Sequence, residues 1–216
     1  MFATDRDLLV LEPRVFFDVS WTAQTLVNAA SGGTINSAGD TLTLSGGNFV
    51  NLGITAGFVA VVGSMPLEVV GRVDATTLSV SRLRSGVTEP VIPAVAGSAL
   101  KVVIHTFRPQ IGIVHGQVMR MLGIEPGAAG EAGRPGETDI KNPSALRLVE
   151  SLGALHLIYS SAAALVGHDS PMWVKAQMYR ERFQAERGRL VVEIDLDGDG
   201  EADTVRRANV FQFVRV

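Results

Sequence analysis

Cysteine is absent from the 216-residue chain, which removes disulfides, thiolate zinc sites and cysteine nucleophiles together. An excess of basic charge is also missing: 19 Lys and Arg against 22 Asp and Glu leave a formal charge of -3, so there is little general attraction for phosphate and tight DNA binding is not expected. The opening MFATDRDLLVLEP places acids and bases where an export signal carries its apolar stretch, and no such signal is read there. The longest uncharged run, Thr41 to Leu67, is interrupted by Gly46, Gly47, Gly53, Gly57, Gly63 and Pro66, which would break a lipid-exposed helix; it reads as short strands, and no membrane partner is expected. Three catalytic signatures are lacking as well. No serine sits in a GxSxG elbow, no GxxxxGK[ST] cradle exists, and no GxGxxG opens a strand-to-helix turn. The four histidines His105, His115, His156 and His168 have neither i, i+4 pairing nor an HExxH context, and His156, between Leu155 and Leu157, reads as a packing residue. An enzyme is not expected, although acids such as Glu68, Glu89 and Glu150 could still pair in space.

What is present, with 46% hydrophobic residues, supports one domain with an insertion or two small ones. Thr4 and Asp7 stand in capping-box spacing ahead of a short helix that ends at Glu12-Pro13. Val15 to Val27 fits helical spacing and extended structure alike. From Gly32 to Phe107 the apolar period is two, as in Leu42 and Leu44, then Leu78 and Val80, and turn residues separate five or six short strands. A small antiparallel barrel or sandwich of about 75 residues is expected. After Pro109, Ile113, Gln117 and Met121 form one helical stripe and Val114, Val118 and Leu122 an adjacent one, both stopping at Gly123. GAAGEAGRPGET, with Gly127, Gly130, Gly133 and Gly136, reads as an exposed loop or a partner-ordered arm.

The clearest element is an αα-hairpin. Asn142-Pro143 starts a helix running to Val166 before Gly167, and Ser170-Pro171 starts a second. Gly153, Ala154 and the Ser160 to Ala164 run leave room for close helix approach, within the fold or in an oligomer. Trp173 and Phe183 read as hairpin core, while Tyr179, Arg180, Arg182, Glu186 and Arg187 are candidate interface residues. The end of the chain reads as a β-hairpin, Leu190, Val192 and Ile194 alternating before an acidic turn and Val210, Phe211 and Phe213 after it. In that turn Asp195, Asp197, Asp199, Glu201 and Asp203 occupy positions one, three, five, seven and nine of a calcium loop. Position twelve is Arg206 where a bidentate Glu belongs, and an acidic Asp-Gly tip is also an ordinary exposed turn, so calcium on Asp195, Asp197, Asp199 and Asp203 and a plain turn both stand. The expected fold is α+β, divided as an N-terminal helical segment, 1–31, belonging to the helical domain; an inserted β-module, 32–105; and a helical domain with a C-terminal β-hairpin, 106–216.

The run NPSALRLVESLGALHLIYSSAAAL, followed by SPMWVKAQMYRERFQAERGRLVVEIDLDGDGEADTVRR, resembles the head-to-tail connector or adaptor proteins of tailed bacteriophages, in which a helical hairpin with a tyrosine- and arginine-rich second helix leads into an acidic hairpin. GITAGFVAVVG and PLEVVGRVDATTLSVSRL look like small modules inserted in phage structural proteins; a β-segment of this size departs from the helical adaptor plan. The resemblance implies a virion neck protein assembled in the host cytoplasm, a homo-oligomeric ring, commonly twelvefold, beneath the portal protein, joined to a downstream tail or neck protein and passing double-stranded DNA without specific binding. The alternative is a calcium-dependent extracellular or tail-fibre-like binding module.

Overall fold

A computed structural model describes residues 1–127, 130, 134–167 and 169–208. His168, Gly133, Val210, Phe211 and Phe213 lie outside the described residues. The fold is α+β: helical segments, a closed six-stranded antiparallel barrel and a separate two-stranded hairpin. Two compact units divide the chain, Thr4–Arg108 in one, Met1–Ala3 with Pro109–Val216 in the other.

In the first unit, α1 (Asp5–Leu11) begins as the capping box requires, the Thr4 amide donating to Asp7 Oδ2 at 2.8 Å. After α2 (Val15–Asp18) the chain becomes extended. The strands are β1 (Gln24–Ile35), β2 (Thr41–Leu44), β3 (Val59–Val62), β4 (Met65–Arg72), β5 (Thr77–Ser81) and β6 (Gly97–Thr106), joined in the order β1-β2-β5-β4-β3-β6, with β6 closing on β1. The period-two residues point inward as expected: Leu42, Leu44, Leu78 and Val80 meet Phe49, Ile54, Phe58, Leu67, Val102 and Ile104 in one core. The structure is thus a barrel and not a sandwich.

The N-terminal boundary differs from the sequence expectation. Residues 24–31 are strand and not helix, because β1 pairs with β2 through Gly33 to Ile35 and with β6 from Gln24 onward. Residues 4–31 belong with the barrel and not with the helical domain. Leu8, Leu9, Val15 and Phe16 are buried in that unit, and two ionic contacts fix α1 to it. Arg6 and Arg84 both donate to the carboxylate of Glu68 on β4, and Arg6 Nη2 also donates to the Arg84 carbonyl at 2.7 Å. All three side chains are buried. At the other contact, Asp5 accepts from the Thr106 hydroxyl at 2.6 Å and from the Phe107 amide at 2.7 Å.

The second unit contains α3 (Arg108–Met121, its first residue assigned to the barrel unit), α4 (Pro143–Val166), α5 (Pro171–Arg189), β7 (Val191–Ile194) and β8 (Thr204–Arg207). Of the two expected α3 stripes only Val114, Val118 and Leu122 are buried; Ile113, Gln117 and Met121 face outward. Asn142 precedes α4 as expected, but its side chain does not cap the helix. It bridges to β7, donating to the Val191 carbonyl at 2.9 Å and accepting from the Glu193 amide at 3.0 Å. Ser170 does cap α5, its hydroxyl accepting from the Trp173 amide. α4 is long and apolar enough to cross a membrane by composition, yet most of that stretch is buried.

Removing the charge at Glu68 strands two buried guanidinium groups, so Glu68→Gln is expected to destabilise the barrel unit by about 3–5 kcal/mol, read as lost hydrogen-exchange protection at the Val69 and Val80 amides. Burial raises the Asp5 carboxyl to about 6 against the opposing Thr106 and Phe107 hydrogen bonds and the Arg108 charge. A raised carboxyl favours the folded state at low pH and loses that contribution as pH rises through its folded value. Relative to Asp5→Asn, the barrel is expected to lose on the order of 3 kcal/mol between about pH 4 and about pH 7, measured at the same amides.

Candidate functional site

The acidic turn between β7 and β8 is organised from within. Asp195 is buried at its base; its Oδ1 accepts from the Gly198 amide at 2.7 Å and its Oδ2 from Gly200 at 3.0 Å. Asp197 Oδ1 accepts from the Asp199 amide, Asp199 Oδ1 from Glu201, and Asp203 Oδ2 from Leu196. One carboxylate oxygen from each of Asp195, Asp197 and Asp203 lies within 4.8 Å of the others. Asp199 and Glu201 are not part of that group, so the structure brings together three of the four proposed calcium ligands.

Two cationic side chains define what this turn does. Lys141 Nζ lies 2.7 Å from Asp195 Oδ2. Its hydrogen bond, opposed by partial burial and aided by the Gly198 and Gly200 amides, holds the Asp195 carboxyl below its usual range. Arg206, at position twelve, turns away from the acids. Its Nη1 donates to the carbonyls of Leu122 at 2.6 Å and Gly123 at 3.0 Å, closing the end of α3 where helix carbonyls lack partners. The residue that breaks the calcium pattern therefore has a structural task of its own.

In the helical hairpin the candidate interface set separates. Tyr179 is a core residue, not an interface residue: it is 1% exposed and stacks on Tyr159 at 5.7 Å between ring centroids. Its place on α5 puts it toward α4, where an aromatic ring removes more apolar surface from water than the flanking arginines can. Arg180 and Arg182 are exposed; Arg187 lies over the Phe183 ring at 5.7 Å, and Glu186 pairs with Arg189 at 3.3 Å. Gly153 serves packing within the unit, since a Cβ there would stand 2.6 Å from Val114 Cγ1 and 3.0 Å from Phe183 Cε2. His156 is half-buried, with Nδ1 3.1 Å from the Ala176 carbonyl, a packing role as expected.

A cluster not assembled from the sequence lies around His115 on α3. Its Nδ1 is 2.7 Å from Oε1 of the buried Glu150 on α4, and its Nε2 is 2.7 Å from Oε1 of Glu137. Glu150 Oε2 accepts from the amides of Phe2 and Ala3 at 2.9 and 2.8 Å. Glu137 also takes the Gly127 amide at 2.5 Å and the Met1 amine at 3.2 Å. A histidine oriented by a buried carboxylate is the start of a general-base arrangement, but here the second nitrogen meets another carboxylate and not a hydroxyl nucleophile. The two acids sit on opposite ring nitrogens, so the trio does not converge on one cation.

No protein-family model, curated protein or solved structure matches this chain.

The Arg206 contacts give an expectation that separates the two views of the turn. Arg206→Ala is expected to cost about 1–3 kcal/mol by leaving the α3 carbonyls without their charged donor, whereas a chelator should shift the melting temperature of the wild type by less than about 2 °C. A large calcium-dependent rise in melting temperature with no effect of Arg206→Ala would assign the turn to the ion instead.

Proposed function

We propose that the chain is a structural assembly subunit, a head-to-tail adaptor that forms a ring beneath the portal of a tailed bacteriophage and joins it to the next tail or neck component. The observation that carries this reading is the end of the helical hairpin. Leu165, Val166 and Val174 flank the turn between α4 and α5 and are 78%, 59% and 66% exposed. Three large apolar side chains left in water at one end of a well-packed hairpin fit a surface that a neighbour covers. Arg180 and Arg182, exposed farther along α5, add charge that sets partner orientation without contributing much to the isolated fold. The small negative charge suits a wall past which a duplex slides.

A second reading, a calcium-dependent extracellular or tail-fibre-like module, is favoured by the three convergent carboxylate oxygens of Asp195, Asp197 and Asp203. The Lys141 ammonium on Asp195 supplies a positive charge to that group without an ion, which favours the assembly reading.

The test pairs a stability measurement with an assembly measurement. The Leu165→Ser/Val174→Ser and Arg180→Glu/Arg182→Glu variants should keep their folding stability within about 0.5 kcal/mol, as exposed positions do, while losing incorporation into particles. Normal melting with normal incorporation of both would remove the hairpin from the interface. A monomer in the intact native assembly would overturn the ring.

A further inference from the structure

The His115 cluster joins four pieces of chain that are far apart in sequence: α3 through His115 itself, α4 through Glu150, the 3₁₀ turn Glu137–Asp139, and the first three residues. The 3₁₀ turn in turn holds the C-terminal hairpin. The Asp195 amide donates to the Asp139 carbonyl at 2.9 Å, the Lys141 amide to the Glu193 carbonyl at 2.9 Å, and Ile140 bridges to Ile194. We propose that His115, Glu137 and Glu150 form a proton-operated clamp: the doubly protonated ring docks the Glu137 turn, and with it the β7 edge, onto α3, and loss of the ring proton releases the turn.

The number of N–H donors the buried ring offers decides which contacts hold. Two carboxylates face one imidazole, and both contacts are 2.7 Å. An imidazolium offers an N–H to each; a neutral ring has only one N–H, so one carboxylate is left against a bare nitrogen lone pair. Which contact breaks is set by exposure. Glu150 is fully buried and fixed by two backbone amides, so water cannot replace the ring, whereas the Glu137 side chain is 18% exposed and has solvent within reach. The neutral tautomer therefore keeps its proton on Nδ1 toward Glu150, and Glu137 leaves. The groups facing the ring are Glu150 from α4, Glu137 from the turn and, in the N-terminal residues, the Met1 amine on the far oxygen of Glu137; the Phe2 ring packs edge-on at 5.6 Å.

The electrostatics have matching signs. Burial disfavours the charged ring, but the Glu150 and Glu137 hydrogen bonds and the Glu150 charge outweigh it and hold the histidine proton above the ordinary range. Glu137 is held below the usual range: burial raises it, and the Gly127 amide, His115 and the Met1 amine more than reverse that. A raised histidine contributes stability at low pH that is lost as pH rises through its folded value; a lowered carboxyl contributes stability that is lost as pH falls through its folded value. The clamp thus holds between these two limits and opens on the alkaline side by way of His115.

The test follows the His115 ring by NMR in the full chain and the hydrogen exchange of the Lys141 and Asp195 amides across the same pH range, after correction for intrinsic exchange. The expected result is a ring titration above the ordinary histidine value and a fall in protection of those two amides of tenfold or more with the same midpoint, while the barrel amides Val69 and Val80, whose own loss follows Asp5 at lower pH, show no step at that midpoint. Reading the ring directly separates its titration from that of the Met1 amine. Glu137→Gln, whose amide can donate to the neutral Nε2, should remove the pH dependence. His115→Gln should expose the two amides at every pH. Protection that stays flat through the ring's titration, a ring that titrates at or below the ordinary value, or a Glu137→Gln variant that keeps the wild-type pH profile would overturn the clamp. Should His115→Gln fail to fold, the wild-type profile and Glu137→Gln still decide it.

Discussion

The barrel depends on the seam where its last strand closes on its first. β1 runs antiparallel to β6 from Gln24↔Thr106 to Ile35↔Gly97 and also pairs with β2 through Gly33, Thr34 and Ile35. Closing a six-stranded sheet this way demands curvature, and β1 supplies it by register shifts between Thr25 and Val27, between Ala29 and Gly33 and between Gly33 and Ile35. Glycine is required at the tightest point. A Cβ on Gly33 would lie 2.3 Å from Val102 Cγ2 and 2.9 Å from the Leu100 carbonyl oxygen, so any side chain would push β6 away and open the barrel. The inward-facing core residues, from Leu42 to Ile104, share one interior only after that seam has formed.

Around that frame, buried acids do the long-range joining that disulfides would perform in a chain with cysteines. Glu68 gathers Arg6 and Arg84, Asp5 holds Thr106 and Phe107, and Glu150 holds His115 and the amides of Phe2 and Ala3. Each joins segments separated by tens of residues, and each acid is almost free of solvent. The environments differ in consequence. Two guanidinium groups keep Glu68 matched by fixed charge, whereas Asp5 relies on neutral donors and the more distant Arg108, and His115 brings a partner whose charge varies with pH. A chain with a small net charge thus contains several strongly charged interiors.

Local grammar was legible and closure was not. The capping box at Thr4 and Asp7, the period-two strands around Leu42 and Leu78, and the Ser170-Pro171 start of α5 all lie within a few residues of what they determine, and the structure contains them as read. QTLVNAAS has no decisive period, so the sequence leaves Val15 to Val27 open between helix and strand and groups 1–31 with the helical domain; only pairing with β6, some eighty residues onward, settles residues 24–31 as strand. Among the candidate sites, the acidic turn was visible from its spacing, but the tasks of Lys141 and Arg206 depend on contacts with Asp195 and with the end of α3. Tyr179 looked like a partner of the arginines beside it, yet helix phase turns it inward onto Tyr159. Glu68 and Glu150 were visible as acids that could pair; their partners, Arg6, Arg84 and His115, carry no spacing signal, since only the tertiary fold brings them together.

The Asp5 contacts have a consequence for how the gene product can be taken apart. Because Asp5 grips Thr106 and Phe107, the entrance and exit of the barrel unit lie side by side, a hydrogen bond apart, although 100 residues of chain run between them. A loop whose two ends already touch places little demand on the polypeptide that carries it. Such a unit is a cassette: its own ends can be joined tail to head and the chain reopened elsewhere, without asking either end to travel.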